Sequence, residues 1–258
     1  MGQKELKKTV SIILPNFNSS EFVSSSINSI KNQTYKNWNL IIIDDCSTDN
    51  SKNIINKYKN FKNITIIKLN KNKGPSFCRN YAMRISKSKY ISFIDSDDTW
   101  VKTKLEKQIF FMEKNNLMFT YTDYIPFFEI NGKKKYKNRT TVKNYFNYKT
   151  FIRNSAINTT TMIIARSILL SHRFKKIELL EDYLFKCELL KSNNVASKFN
   201  ENLAYYRILE KSRSSIKFKN IYWLWKINKS YNNLSFFDNI LSILNISINS
   251  IKKYGGIK

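Results

Sequence analysis

Tyr90-Ile-Ser-Phe-Ile-Asp-Ser-Asp-Asp98 runs a mostly apolar, strand-forming segment straight into three acids. Apolar residues that do not alternate with polar ones mark a strand covered on both faces, as in a parallel sheet packed between helices. In open sheets of this kind ligands collect beyond the carboxyl ends of the strands, so the acids lie where a polar ligand would be held. Alternate side chains of an extended chain share a side, which lets Asp95 and Asp97 face one cation. Hard ions such as Mg²⁺ or Mn²⁺ take one or two carboxylates and complete their shell with phosphate oxygens and water. A lone D-x-D also fits an acid-rich turn capping a helix near Thr103, so the surrounding sequence has to decide.

Working outward, Val10–Leu14, Asn39–Ile43 and Ile64–Lys68 repeat the buried-strand pattern, and with Tyr90–Ile94 they make four strands. Between them Phe22, Ile27 and Ile30, then Ile54, Ile55 and Tyr58, then Phe77, Tyr81 and Ile85 recur at helical spacing, each set expected to pack on the sheet. Ser47-Thr48-Asp49 precedes the second helix, where side-chain oxygens can accept first-turn N–H groups. Strand, polar loop and helix alternate, the mark of an α/β fold. Each strand ends in a polar turn: Pro15-Asn16-Phe17-Asn18 after the first, Asp44-Asp45-Cys46-Ser47 after the second. A carboxylate at 44 or 45 is acceptor-only, suited to a nucleobase N–H or ribose hydroxyls. Arg79 sits on the third helix, from which its guanidinium could reach a base carbonyl or a phosphate, or serve as a surface cation.

Beyond Thr103, Leu105, Ile109 and Met112 predict a helix, Met118–Tyr121 is another apolar run, Lys133–Lys137 predicts a hairpin or surface loop, and Thr160–Ala165 predicts a further strand. Glu181–Lys191 predicts a helix whose leading acids suit the positive end of its dipole. From about Asn220, Trp223, Trp225, Phe236, Phe237, Ile240, Leu244, Ile248 and Ile251 fall on a helical stripe among Lys and Asn. The expected organisation is a domain over 1–215, with a nucleotide half to about 100 and an acceptor half beyond it, and a helical extension over 216–258.

Composition narrows the class. The 258 residues are 42% hydrophobic, enough for a packed core, which excludes general disorder. Lys and Arg exceed Asp and Glu by 45 to 19, a net +26 that draws polyanions, anionic membranes or phosphorylated ligands alike. AT-rich coding would give the same Lys, Asn and Ile load. Cys46, Cys78 and Cys187 are odd in number and dispersed, against a disulfide framework or zinc site, and fit a reducing cytosol. The apolar run after Lys4, Lys7 and Lys8 stops at Pro15, short of a secretory signal, and no apolar run is long enough to span a bilayer. His172 has no triad partners and is expected to be structural. The phosphate-binding G-x-x-x-x-G-K-[ST] loop and the dinucleotide G-x-G-x-x-G turn are absent from the sequence.

Val10-Ser-Ile-Ile-Leu-Pro-Asn-Phe-Asn18, Gln33-Thr34-Tyr35, Trp38–Asp49, Asn72-Lys-Gly-Pro-Ser-Phe-Cys-Arg-Asn80, Tyr90–Asp98 and Glu181-Asp182 follow one another in the order found in family-2 glycosyltransferases, which the chain resembles from Val10 to about Asp182. The resemblance implies the GT-A fold, a Rossmann-like mixed sheet with flanking helices. It also implies a divalent metal, Mn²⁺ or Mg²⁺, and an inverting transfer from a nucleoside-diphosphate sugar, by default a UDP-sugar, to a hydroxyl. By the same similarity Pro15, Phe17 and Asn18 line the nucleoside pocket, Asp44 or Asp45 contacts the base, and Arg79 supports the nucleotide. Asp95 with Ser96 would meet the ribose, Asp97 (with Asp95 or Asp98 sharing) the metal, and Asp182 would be the general base. Arg213, in a Ser-rich stretch after Tyr206-Arg207, would meet the diphosphate. Ser19-Ser20 departs from an acidic pair usual in the family, and Cys78 from a small Ala.

The implied acceptor is a glycan or lipid-linked glycan of the cell surface, with the cationic, aromatic tail resting on an anionic membrane or, alternatively, forming a packed helix pair. No nucleic-acid partner is expected. The competing classes are a basic nucleic-acid-binding module and a metal-dependent nucleotidyltransferase; salt-sensitive nucleic-acid binding would mark the first, pyrophosphate release the second.

Overall fold

The computed structural model describes residues 10–130, 133–140, 142–209 and 217–254. The chain runs β1 (Val10–Asn16), α1 (Val23–Lys31), β2 (Trp38–Asp44), α2 (Ser51–Asn56), β3 (Ile64–Lys68), α3 (Pro75–Ile85), β4 (Tyr90–Phe93), β5 (Thr99–Trp100) and α4 (Lys104–Lys114). It continues with β6 (Phe119–Ile130), β7 (Lys133–Tyr136), β8 (Tyr145–Phe146), α5 (Tyr148–Phe151), β9 (Ile163–Ala165), α6 (Arg166–Leu169), α7 (Glu181–Lys191), β10 (Ala196–Arg207), α8 (Lys217–Ser230) and α9 (Phe236–Tyr254). One mixed sheet has the order β3-β2-β1-β4-β9-β6-β10-β5, with β7 and β8 attached to β6 and β10.

The four expected strands pair in parallel, with Ile13 opposite Ile41 and Phe93, and Asn16 opposite Asp44. Their side chains alternate between two cores. Ile12, Leu14, Leu40 and Ile42 pack with Val23, Ile27 and Ile30 of α1, Ile55 of α2 and Leu105, Ile109 and Met112 of α4. Ile13, Ile41, Ile43 and Phe93 pack on the opposite face with α3 and α7. Each aliphatic side chain so buried contributes about 1.5–3 kcal/mol relative to its exposed state.

The third helix is turned from the expected face. Cys78, Arg79, Ala82 and Met83 of α3 are buried, whereas Phe77, Tyr81 and Ile85 are only partly covered. Small residues at 78 and 82 let α3 approach the sheet closely, and Arg79 goes inward because acids await it there. The Thr160–Ala165 strand is shorter than expected, since Thr159–Thr161 form a 3₁₀ turn and only Ile163–Ala165 pair, antiparallel to both β4 and β6. The basic Lys133–Tyr136 stretch is the exposed outer arm of a hairpin on β6.

β10 positions the site. It runs parallel to β6 and takes up β5 antiparallel, with Tyr205 opposite Thr99. The acid loop between β4 and β5 is thus fixed at both ends by one sheet. The C-terminal stretch is helical as expected, but its stripe faces outward: Phe236, Phe237, Ile240, Leu241, Leu244, Ile248 and Ile251 of α9 are exposed.

Candidate active site

The loop after β4 is built as a rigid bracket. The Ile94 N–H donates to the Ile13 carbonyl (3.0 Å) and the Asp98 N–H to the Asp95 carbonyl (3.1 Å), closing a turn over the end of β1. Ser26 of α1 donates its hydroxyl to the carbonyls of Ser96 (2.8 Å) and Asp98 (2.5 Å), and the Ser96 hydroxyl donates to Ser19 Oγ (2.7 Å). Asp98 is fully buried and accepts the Arg207 N–H through Oδ1 (2.9 Å). Burial, with the Asp97 and Asp95 charges, pushes its carboxyl well above the usual range. Asp98 is therefore a loop anchor turned inward, which leaves Asp95 and Asp97 as the open carboxylates.

Arg207, the last residue of β10, is the strongest brace on this loop and was hidden in the sequence by its neighbours. Its Nε donates to the Asp97 carbonyl (3.1 Å), Nη1 pairs with Glu129 (2.7 Å), and the guanidinium lies over the Phe22 and Phe127 rings. In the sequence Tyr206-Arg207 served only to place the Ser-rich stretch that carries Arg213; the signal for Arg207 was a cation closing a strand that ends on the acid-bearing edge.

Asp97 differs from its neighbours in having no hydrogen bond to its carboxylate from any other described residue. Burial, helped by the Asp95 charge, pushes its carboxyl up to about 6, with Arg207 opposing. Asp95 is half-exposed, and its Oδ1 accepts from Arg79 Nη2 at 2.7 Å. Arg79 uses Nη1 on Glu181 at 3.3 Å, so one buried guanidinium joins the acid loop to the first residue of α7. Burial works against its charge, but Asp95 and Glu181 hold it cationic and raise its pKa. The Phe174 ring packs against it at 5.3 Å.

Asp182 follows Glu181 on the first turn of α7. Its Oδ2 accepts from Lys186 Nζ (2.7 Å) and from the Thr159 hydroxyl (3.1 Å), and Oδ1 accepts from no described residue. Burial would raise its pKa, yet Lys186, then Arg79 and Thr159, bring it down to about 2. Asp182 is an ionised acceptor at neutral pH. Lys186 is nearly fully buried and also donates to the Ile157 carbonyl (2.8 Å). Sequence reasoning passed it over, although an acid and a lysine four apart on a helix are a legible pair.

On the nucleoside side the predicted residues divide. Asn18 stands in the left-handed region (φ 48°), where its Oδ1 accepts the Thr48 N–H (2.8 Å). Phe17 beside it is 47% exposed, a bare ring at the end of β1, and Pro15 is half-buried within that strand. Asp44 is fully buried and accepts from Asn16 Nδ2 (2.9 Å) and Ser47 Oγ (2.6 Å). Asp45 accepts the Lys73 and Gly74 N–H groups (2.7 and 2.8 Å), which fixes the entry to α3. Both acids are already engaged within the fold, and Asp45 is the one that ties the β2 loop to the helix carrying Arg79. The loop carrying Arg213 lies outside the described residues.

No cluster of three or more His, Cys, Asp or Glu side chains forms a closed metal site among the described residues. The donor set present fits an open site instead: an unpartnered Asp97 carboxylate, held protonation-prone by burial and by Asp95, is what a divalent cation sharing its shell with phosphate oxygens would relieve.

A parallel Rossmann-like half, an antiparallel return through β9, and acids on the shared carboxyl edge define the GT-A glycosyltransferase class. An S. aureus TarS fragment crystallised with UDP-GlcNAc superposes with a TM-score of 0.71 at 20% identity, over 95% of this chain and 73% of that one. A mannosyltransferase from Pyrobaculum calidifontis, in complex with GDP-Man and Mn²⁺, gives 0.66 at 13% identity, over 96% and 76%. These likenesses speak to fold. The E. coli enzyme named UDP-Glc:alpha-D-GlcNAc-diphosphoundecaprenol beta-1,3-glucosyltransferase WfgD is 32% identical over 95% of this chain and 94% of its own. The chain belongs to glycosyl transferase family 2, whose model matches residues 11–176. It is therefore a glycosyltransferase related to enzymes of polysaccharide and glycolipid assembly, which displaces the nucleotidyltransferase and nucleic-acid-binding alternatives.

Proposed function

We propose that the chain transfers a hexose, with inversion, from a UDP-sugar to a hydroxyl of a lipid-linked glycan acceptor during assembly of a cell-surface polysaccharide. The observation that carries this is the Arg79 bridge, which ties the donor-side Asp95 to Glu181, the residue adjoining Asp182. UDP and the lipid-linked acceptor are drawn from the relatives: TarS was crystallised with UDP-GlcNAc, and WfgD is named for a diphosphoundecaprenol acceptor.

In this reading residues 10–100 hold the donor. Phe17 offers its exposed ring to the base, Asn18 shapes the first loop, Asp44 and Asp45 stiffen the base-side wall, and Asp95 with Ser96 borders the ribose. Arg213 would approach the diphosphate. Asp97, with Asp95, would hold Mn²⁺ or Mg²⁺, which when bound supplies Lewis-acid neutralisation of the departing diphosphate. Asp182 receives the acceptor proton at Oδ1 while Lys186 and Thr159 hold Oδ2. A carboxylate with a pKa of about 2 is a weak base, so the proton moves only as the new glycosidic bond makes the hydroxyl acidic. The acceptor half, 101–215, supplies this base, and the helical extension lies behind α7.

The test is a donor screen with Mn²⁺ or Mg²⁺, scoring free nucleoside diphosphate. UDP release from a UDP-hexose, lost in Asp97→Ala, is expected; release from GDP-mannose alone would replace uridine, and pyrophosphate from UTP would replace the reaction class.

A further inference from the structure

α9 is an amphipathic helix mounted inside out. Its polar residues Asn239 and Ser242 are buried, where Asn228 of α8 donates to Asn239 Oδ1 (3.1 Å) and Ser242 Oγ (2.9 Å), and Ser242 donates to the Ile152 carbonyl (2.5 Å). Ile243 and Ile246 add partly buried contacts on that side. The opposite side carries Phe237 (80% exposed), Leu241 (42%), Leu244 (55%), Ile248 and Ile251 (68%), recurring every three or four residues. Folding leaves this stripe uncovered from Phe237 to Ile251, about 21 Å of helix. A contiguous exposed apolar strip of that size marks an interaction surface.

Charge selects the partner. A cavity of about 830 Å³ on the flank of α9 is lined by Lys143, Lys149 and Arg153, against the single acid Asp238, which Arg153 pairs at 3.3 Å. Lys226 and Lys229 of α8 are exposed nearby in the chain, and the whole molecule carries +26. A second copy offering the same face would bring like charges together. An anionic lipid surface satisfies both the apolar strip and its cationic margin.

We propose that the outward face of α9, with Lys143, Lys149 and Arg153 beside it, docks the protein on an anionic bilayer, the helix lying in the interface plane. No described helix is long and apolar enough to cross a membrane, so the contact is peripheral. Tyr183, next to Asp182 on α7, donates its hydroxyl to Asn228 Oδ1 (3.0 Å), so the docked pair α8 and α9 is one hydrogen bond from the helix of the proposed base. The surface goes beyond the transfer reaction and is tested without it.

The full chain is mixed with vesicles of phosphatidylglycerol in phosphatidylcholine, or of phosphatidylcholine alone, at low and high salt, and centrifuged. Sedimentation with the anionic vesicles, weakened by salt, is expected. The triple variant Phe237→Ser, Leu244→Ser, Ile248→Ser should lower partition at least ~10-fold with unchanged thermal unfolding and nucleoside-diphosphate release. Lys143→Glu with Lys149→Glu should remove the preference for anionic vesicles, lowering partition onto them at least ~10-fold. Wild-type protein left in the supernatant overturns the proposal. So does a triple variant that sediments like wild type, or an α9-dependent dimer that ignores vesicles. Vesicle binding without turnover of any donor would sink the transfer reading and leave this surface standing.

Discussion

At Asp182 two opposing influences meet, and their balance sets what the residue can do. Burial favours the protonated acid; Lys186, four residues on and itself buried, outweighs it and keeps the carboxylate ionised. The folded value of about 2 lies below the usual carboxylate range near 3.9. The pair's contribution to stability is therefore complete above about pH 4 and lost as the pH falls through about 2. Asp182→Asn should keep nucleotide-sugar affinity and lose ~10²–10⁴ in kcat; calorimetric donor binding beside initial rates reads both, and undiminished transfer would move the proposed base elsewhere. Lys186→Met should leave burial opposed only by Arg79 and Thr159 and lift the Asp182 carboxyl, so that the acid limb of the kcat profile moves to higher pH than in the wild type with donor KM unchanged. A merely structural lysine would lower kcat evenly across pH.

Among the elements, α3 is the connector. Its Arg79 spans the gap between the β4 loop and α7, and Gly74 at its entry, with φ 83°, takes a backbone that a side chain would strain. Arg79→Leu should cost about 2–4 kcal/mol in urea unfolding, because the well-buried Glu181 and half-exposed Asp95 lose their shared partner. Arg79→Lys should recover little of this, since one ammonium cannot reproduce two Nη contacts in a fork. The four parallel strands were legible in the sequence because a doubly covered strand has to be apolar throughout. The inward face of α3 was not, because the pattern weighed Phe77 and Tyr81 by size, whereas the helix packs through Cys78 and Ala82 and turns a charge inward. The same limit hid Arg207, a buried cation that only the distant acid Glu129 explains, whereas Lys186 was legible through Asp182 four residues before it. The helical stripe on α9 was legible, but periodicity does not tell which side of a helix faces out.

For the whole molecule, stability and the site share one buried polar seam beneath the acid loop. Lys104, fully buried at the start of α4, has its ammonium over the Trp100 ring at 4.4 Å and donates to Gln108 Oε1 at 2.9 Å. Gln108 in turn donates to Thr120 Oγ1 and the Thr161 carbonyl, and the Trp100 indole donates to the Thr160 carbonyl, joining β5, β6 and the turn before β9. No acid among the described residues pairs with Lys104, and burial brings its pKa down from 10.5 to about 7. For a base whose folded value is depressed, the unfolded chain holds more protons between the two values, so stability rises as the pH climbs from about 7 to 10.5. Below pH 7 the full cost of a buried charge remains. Lys104→Met removes that cost and leaves Gln108 Oε1 without its donor, a loss of about 1–3 kcal/mol at any pH. The variant should therefore be more stable than wild type by about 2–3 kcal/mol at pH 6 and less stable by about 1–3 kcal/mol at pH 10.5. Urea unfolding at the two pH values measures the crossover. A difference independent of pH would mean that Lys104 carries its charge at no cost, and that the seam is stabilised by an anion rather than by neutralising the lysine.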